Sequence, residues 1–176
     1  MEFSNPILKS TKTKISRVIF GWKISKNMSR SQLQDSIERW LFHENYSFKE
    51  SKTEEDTFRF VIKGLGAYKI PIEIFEPKKQ QGVIVLGGKI FLQNRHTARF
   101  LKLNEQEQQK FKNSVKDFCD SIRTVHRIFR EDGKVVVGVY VVLDKVERFT
   151  QQIMLDAINQ VLEMSEKTNQ FIMKTF

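Results

Sequence analysis

At 176 residues and 20.8 kDa the chain has room for one domain with an appendage; a fold of that size buries about 70% of its unfolded surface and needs no disulfide or metal. A composition that is 40% hydrophobic and 29% charged, with 15 Phe against only 3 Pro and 8 Gly, excludes a fibrous, low-complexity or wholly disordered chain. No apolar run approaches the roughly 18 residues of a membrane span, and a single cysteine, Cys119, can staple nothing within the chain, which fits a reducing, cytoplasmic compartment.

Thirty Lys and Arg against 21 Asp and Glu leave a formal net charge of +9. Its distribution is uneven. Residues 1–30 hold Lys9, Lys12, Lys14, Arg17, Lys23, Lys26 and Arg30 with one anion, Glu2, whereas the remaining 146 residues hold 23 cations and 20 anions. The chain therefore reads as a basic N-terminal arm, 1–30, on a nearly neutral domain, 31–176. Such a field attracts nucleic acid or an anionic membrane surface; cations that merely keep the chain soluble are the plain alternative. A basic, acid-poor start is also compatible with a transit peptide, but it has only Arg17 and Arg30 and no evident cleavage signal.

Within the arm, Ile15, Val18, Ile19 and Trp22 fall at helical spacing, although residues 15–24 could equally form a short strand that joins a sheet. Leu33, Ile37, Trp40 and Leu41 then predict a helix that buries one face, with Ser31 as its N-cap. Strands follow. Tyr46 and Phe48 alternate with polar residues, Glu54–Glu55–Asp56 turns, and 58–62 runs back. After Gly64–Leu65–Gly66, the residues Tyr68, Ile70, Ile72 and Ile74 share one face of a third strand and Lys69, Pro71 and Glu73 the other; Pro71, lacking an N–H, places this strand at an edge or a bulge. An apolar strand over 83–92 is interrupted by Gly87–Gly88, a bulge or a close packing point.

Asn104 with Glu107 resembles a capping box, ahead of Phe111, Val115, Phe118 and Ile122 at helical steps. Asp132–Gly133 between β-rich runs predicts a hairpin over 125–143. Asp144 and Glu147 then look like the start of a long helix reaching nearly to Phe176. Strands in a run bounded by helices mean α+β: an antiparallel sheet with flanking helices, ordered helix, three or four strands, helix, hairpin, long helix.

That order is similar to the class I type III secretion chaperone fold, whose helix–three-strand–helix–two-strand–helix module forms homodimers. At residue level, Ile37–Glu38–Arg39–Trp40–Leu41 before Tyr46–Ser47–Phe48, the run Val83–Ile84–Val85–Leu86–Gly87–Gly88, and Glu131–Asp132–Gly133 ahead of Val135–Val136–Val137–Gly138–Val139 resemble an uncharacterised, mainly archaeal domain-of-unknown-function family over about residues 31–176. The resemblance implies a secretion-chaperone-like fold and a dimer. It brings no catalytic residues, and the arm lies outside it.

Chemistry is hard to find. His43, His96 and His126 fall on separate predicted elements, and one cysteine completes no metal knuckle, so no metal ligands are assigned. Cys119 sits on an apolar helical stripe, where a thiol behaves as a small hydrophobe; it would pair with His126 only if the helix ran that far. Gly87–Gly88–Lys89 is followed by Ile90 and more strand, not by the Ser or Thr and helix of a phosphate loop. Glu73 and Glu76, three apart on a strand, face opposite sides. Phe58, Phe60, Phe75 and Phe91 invite comparison with a base-stacking sheet, but the order and signature of an RNA-recognition domain are missing, and core packing is the simpler role.

We therefore expect no catalytic, cofactor-binding or metal-binding residues, and a non-catalytic protein-interaction or chaperone-like module, as a homodimer or an accessory subunit of a larger assembly. Its partner would be another protein or its own copy. The alternative is a nucleic-acid-associated protein whose arm contacts RNA or DNA backbone through Lys9, Lys12, Lys14, Arg17, Trp22, Lys23, Lys26 and Arg30. Contact of the arm with an anionic membrane surface is a third use of the same charge.

Overall fold

The computed structural model describes residues 30–144 and 149–175. In chain order its elements are α1 (Arg30–His43), β1 (Phe48–Glu50), β2 (Asp56–Leu65), β3 (Ile70–Pro77), β4 (Ile84–Phe91), α2 (Asn94–Lys102), α3 (Glu105–Ser121), β5 (Val125–Glu131), β6 (Lys134–Leu143) and α4 (Gln151–Thr175). The six strands make one antiparallel sheet in the order β1-β2-β3-β4-β6-β5. The α+β architecture is thus the one the sequence predicts, with four strands before the helices and a hairpin after them.

Period-2 alternation builds the sheet. In β2, Phe58, Phe60 and Ile62 are buried while Arg59 and Val61 between them are half-buried, so one face of the strand meets the helices and the other does not. The same helix-side face collects Ile72 and Ile74 from β3, Ile84, Leu86 and Ile90 from β4, and Val137 and Val139 from β6. Leu33, Ile37 and Leu41 of α1, Phe111, Val115 and Cys119 of α3, and Met154, Ile158, Val161 and Ile172 of α4 complete one core. Burying each such aliphatic or aromatic side chain contributes about 1.5–3 kcal/mol.

Local signals fix the ends of several elements. Asn104 and Glu107 form a full capping box on α3, each side chain accepting from the other's backbone N–H at 2.9 and 3.1 Å. At the β5–β6 turn, Asp132 and Gly133 both take positive φ (48° and 72°), the conformation a two-residue hairpin requires. Helix α4 begins at Gln151, where the Thr150 hydroxyl accepts from the Ile153 N–H at 3.3 Å, rather than near Asp144; Glu147 lies outside the described residues.

Several expectations change. Ser31 lies one residue inside α1 rather than capping it. The segment Asn94–Lys102, which has no strong apolar period, is a helix of its own, α2, anchored by buried His96, Thr97 and Phe100. Tyr68 is an exposed turn residue ahead of β3. Strand β3 is internal, between β2 and β4, and not at an edge. Pro71 is tolerated because it is the second residue of the strand, beside a register shift between Ile62 and Leu65 of β2, and pairing with β4 begins only at Ile72. Gly87–Gly88 is not a bulge, since the register from Ile84↔Leu143 to Phe91↔Val136 is unbroken. It is a close packing point on both sides: a Cβ on Gly88 would collide with the Ser165 hydroxyl of α4, and one on Gly87 would stand 2.8 Å from the Tyr140 ring.

Candidate functional site

Helices seal one face of the sheet; among the described residues nothing packs over the other. Residues opposite one another in an antiparallel pair share a face, so the pairs Arg59↔Phe75, Glu73↔Gly87, Phe75↔Val85, Lys89↔Gly138, Gly87↔Tyr140 and Arg127↔Gly138 place these side chains together on the side away from the core. Val85 and Val136, buried yet absent from the core between sheet and helices, belong to this second face. It forms a trough of about 1220 Å³ lined by β2, β3, β4, β5 and β6.

A row of alternating charges crosses the trough. Asp56 accepts from Arg59 at 2.7 Å, Arg59 donates to Glu73, Glu73 pairs with Lys89 at 2.9 Å, and Lys89 reaches over β6 to Glu131 at 2.9 Å. Arg59, Glu73 and Lys89 keep only 16, 10 and 17% of their side-chain surface. The Arg59 guanidinium also lies 4.2 Å from the centroid of the Phe75 ring, a cation–π contact. Burial pulls the Lys89 ammonium down, but the carboxylates of Glu131 and Glu73 outweigh it and leave its pKa above the ordinary lysine range.

Tyr140 lies at the centre. Its ring spreads over Gly87 and Gly138, where the absence of side chains leaves room for an aromatic flat on the sheet. Burial, helped by the negative charge of Glu73, raises the phenol pKa, so Tyr140 stays a neutral donor. Around this polar centre the face is apolar and partly bare: Val125, Val142 and Phe91 are 59, 49 and 38% exposed. Charges of both signs line the two ends of the trough: Glu54, Glu55, Lys78 and Lys79 at the β2–β3 side, and Arg127, Arg130 and Glu131 at the β5 side.

The sequence-derived site residues fare differently. Lys9, Lys12, Lys14, Arg17, Trp22, Lys23 and Lys26, and the element expected over 15–24, lie outside the described residues; Arg30 is the first residue of α1. His43, His96 and His126 fall on α1, α2 and β5. Helix α3 ends at Ser121, so His126 is on a strand and shares no helix face with Cys119. Burial pushes the Cys119 thiol up to about 11, the reverse of nucleophile activation. Burial likewise lowers His96, with Arg95 and Arg99 adding to the effect. Glu73 and Glu76 do face opposite sides: Glu76 turns toward the loop and accepts from the Gly82 N–H at 2.8 Å. Of the four phenylalanines, Phe58 and Phe60 are core, whereas Phe75 and Phe91 lie on the open face.

Sequence reasoning missed the charged row, although each member stands out as a charge inside an apolar strand: Arg59 between Phe58 and Phe60, Glu73 between Ile72 and Ile74, Lys89 between Gly88 and Ile90. Alternation assigns each to the non-core face. Only register brings them within contact of one another.

Residues 33–172 match the DUF2299 family, described as an uncharacterized conserved protein. The chain belongs to this family. Solved structures share its fold. One is an uncharacterized protein from Methanothermobacter thermautotrophicus, with a TM-score of 0.65 and 16% identity over 82% of this chain and 99% of that one. Another is a chain of the ExsC–ExsE complex, with a TM-score of 0.52 and 10% identity over 81% of this chain and 95% of that one. At such identities the likeness is one of fold, and the fold is secretion-chaperone-like. No curated protein matches the chain. Among the described residues no helix is long and apolar enough to cross a membrane.

Proposed function

We propose that this protein is a non-catalytic, chaperone-like protein-interaction module that works as a homodimer or as an accessory subunit of a larger assembly, with the open sheet face as its contact surface. The observation that carries the reading is the pairing of bare apolar surface with charges that already satisfy one another. Covering Val125, Val142 and Phe91 removes apolar area from water. The row from Asp56 to Glu131 is mostly ion-paired and largely desolvated already, so a partner need not strip isolated charges of water. A fold shared with a chain crystallised in the ExsC–ExsE complex adds support by analogy. The non-catalytic part is supported by a thiol raised by burial and by face carboxylates held in ion pairs.

The test is a native pull-down from source cells with the full chain, with and without nuclease, at two salt concentrations. Protein partners that survive both treatments, and are lost with a Val125→Glu/Val142→Glu variant, are the expected result. Partners that vanish with nucleic acid would refute it.

The concentration of seven cations in residues 1–30 favours a second reading, a backbone-contacting nucleic-acid protein. Affinity should then fall steeply between about 50 and 200 mM salt and disappear when 1–30 is deleted.

A further inference from the structure

Resting on the interaction-module reading, we infer that the free edge of β5 receives an extended acidic peptide segment of a partner, which adds to the sheet as a seventh strand. The sheet order leaves two edges among the described residues, β1 and β5. Strand β1 is three residues long, too short to template much, whereas β5 has seven, Val125–Glu131. A free edge offers unpaired backbone N–H and C=O groups, the basis of strand addition.

The side chains along β5 specify the kind of strand. Val125, Arg127 and Phe129 alternate onto the trough face and His126, Ile128 and Arg130 onto the other, because each pairs with β6 in unbroken register; at this edge His126 and Arg130 also border the trough. Arg127 and Arg130 are exposed and form no ion pair among the described residues; Arg127 only approaches the Phe129 ring, 5.8 Å from its centroid. Both faces thus mix cations with apolar residues. Directly opposed cross-strand pairs favour opposite charges and apolar partners. A complementary strand therefore carries apolar side chains opposite Val125, Ile128 and Phe129, and carboxylates opposite His126, Arg127 and Arg130. Val125, 59% exposed at one end of the edge, is the apolar anchor.

Charge complementarity also favours a foreign strand over the other occupants. The antiparallel register that pairs all seven residues of β5 with a second copy is centred on Ile128 and sets Arg130 against His126 and Arg127 against Phe129, so neither arginine meets a carboxylate. Residues 15–24 of the chain carry Arg17 and Lys23 and no acid, the same sign as the edge. Arginines that only keep an edge from aggregating are the competing explanation, and they predict no sequence-dependent binding.

The experiment uses the full chain and a fluorescein-labelled peptide with Glu opposite His126, Arg127 and Arg130 and Val or Ile opposite Val125, Ile128 and Phe129. Controls are the same peptide with Lys for Glu, and one N-methylated at the amides that would meet β5. Anisotropy should show saturable binding of the acidic peptide alone, weakened about tenfold or more by Arg127→Glu/Arg130→Glu and less by Arg127→Gln/Arg130→Gln. Hydrogen exchange should show the outward-pointing β5 amides, those not donated to β6, open in the free chain and protected in the complex. Absence of binding, equal binding of the Lys or N-methylated peptide, indifference to both β5 variants, or outward-pointing amides already protected in the free chain each overturns the assignment. A pull-down that captures a protein partner while this peptide fails to bind removes the β5 assignment and leaves the module reading standing.

Discussion

Replacing Gly88 by Ala tests how closely α4 rests on the sheet. The new Cβ would overlap the Ser165 hydroxyl, stand 3.1 Å from Ser165 Cβ, and touch Ile72 Cδ1 at 3.4 Å. Ser165 is fully buried, as is Ile72, so neither can move into open space. Overpacking of this kind costs about 1–3 kcal/mol. The Ser165 hydroxyl has no hydrogen-bond partner among the described residues. Ser165→Ala alone therefore leaves stability within about 0.5 kcal/mol of the parent or raises it. It also removes the atom in most severe conflict with the alanine. The Gly88→Ala/Ser165→Ala double variant should thus recover most of the loss, with a coupling of about 1 kcal/mol or more. Urea titrations followed by circular dichroism read all four proteins, and at a slope of roughly 2 kcal/mol/M the midpoint of Gly88→Ala falls by roughly 0.5–1.5 M. An unchanged midpoint, or a double variant no better than Gly88→Ala, would refute the close approach of α4 to β4.

Glu73 holds both Arg59 and Lys89, so Glu73→Met should cost about 1–3 kcal/mol by leaving two largely buried cations short of a partner, and Lys89→Met, which leaves both Glu73 and Glu131 short of one, should cost a similar amount; urea midpoints of the two variants check this. Native Cys119 should resist iodoacetamide at pH 8 and react once unfolded. Because burial raises its pKa from 9.0 to about 11, the folded state binds a proton the unfolded chain releases. That contribution to stability is complete below pH 9 and is lost as pH rises from about 9 to 11; urea midpoints across that range, in Cys119→Ala and parent, isolate it. Asn104→Ala should cost about 1 kcal/mol by opening the capping box of α3, which a thermal melt detects.

Local rules read directly from the sequence determined much of this protein. The alternation of Ile70, Ile72 and Ile74 identified the core face of β3, Asp132–Gly133 set a hairpin, Asn104 with Glu107 started α3, and the order of elements matched the chaperone-like fold. Each of these depends on neighbours a few residues apart, and a single chain displays them. Helix α2 escaped the apolar-spacing reading because its period is carried by Arg95, Arg99 and Lys102 opposite three buried side chains, of which only Phe100 is apolar. Pro71 pointed to an edge or a bulge; a register shift does lie beside it, whereas only the tertiary structure shows that β3 is internal and that pairing with β4 starts one residue later. The candidate surface was hidden for the same reason. Arg59, Glu73, Lys89 and Glu131 are separated by 14, 16 and 42 residues in the chain, and only the register of five strands sets them side by side. Gly87 reads from sequence as part of a bulge or a close packing point, and the Tyr140 ring lying across it and Gly138 decides for the second. Sequence periodicity decided which side chains face inward; tertiary pairing alone decided which outward-facing ones meet, because register depends on contacts between distant segments.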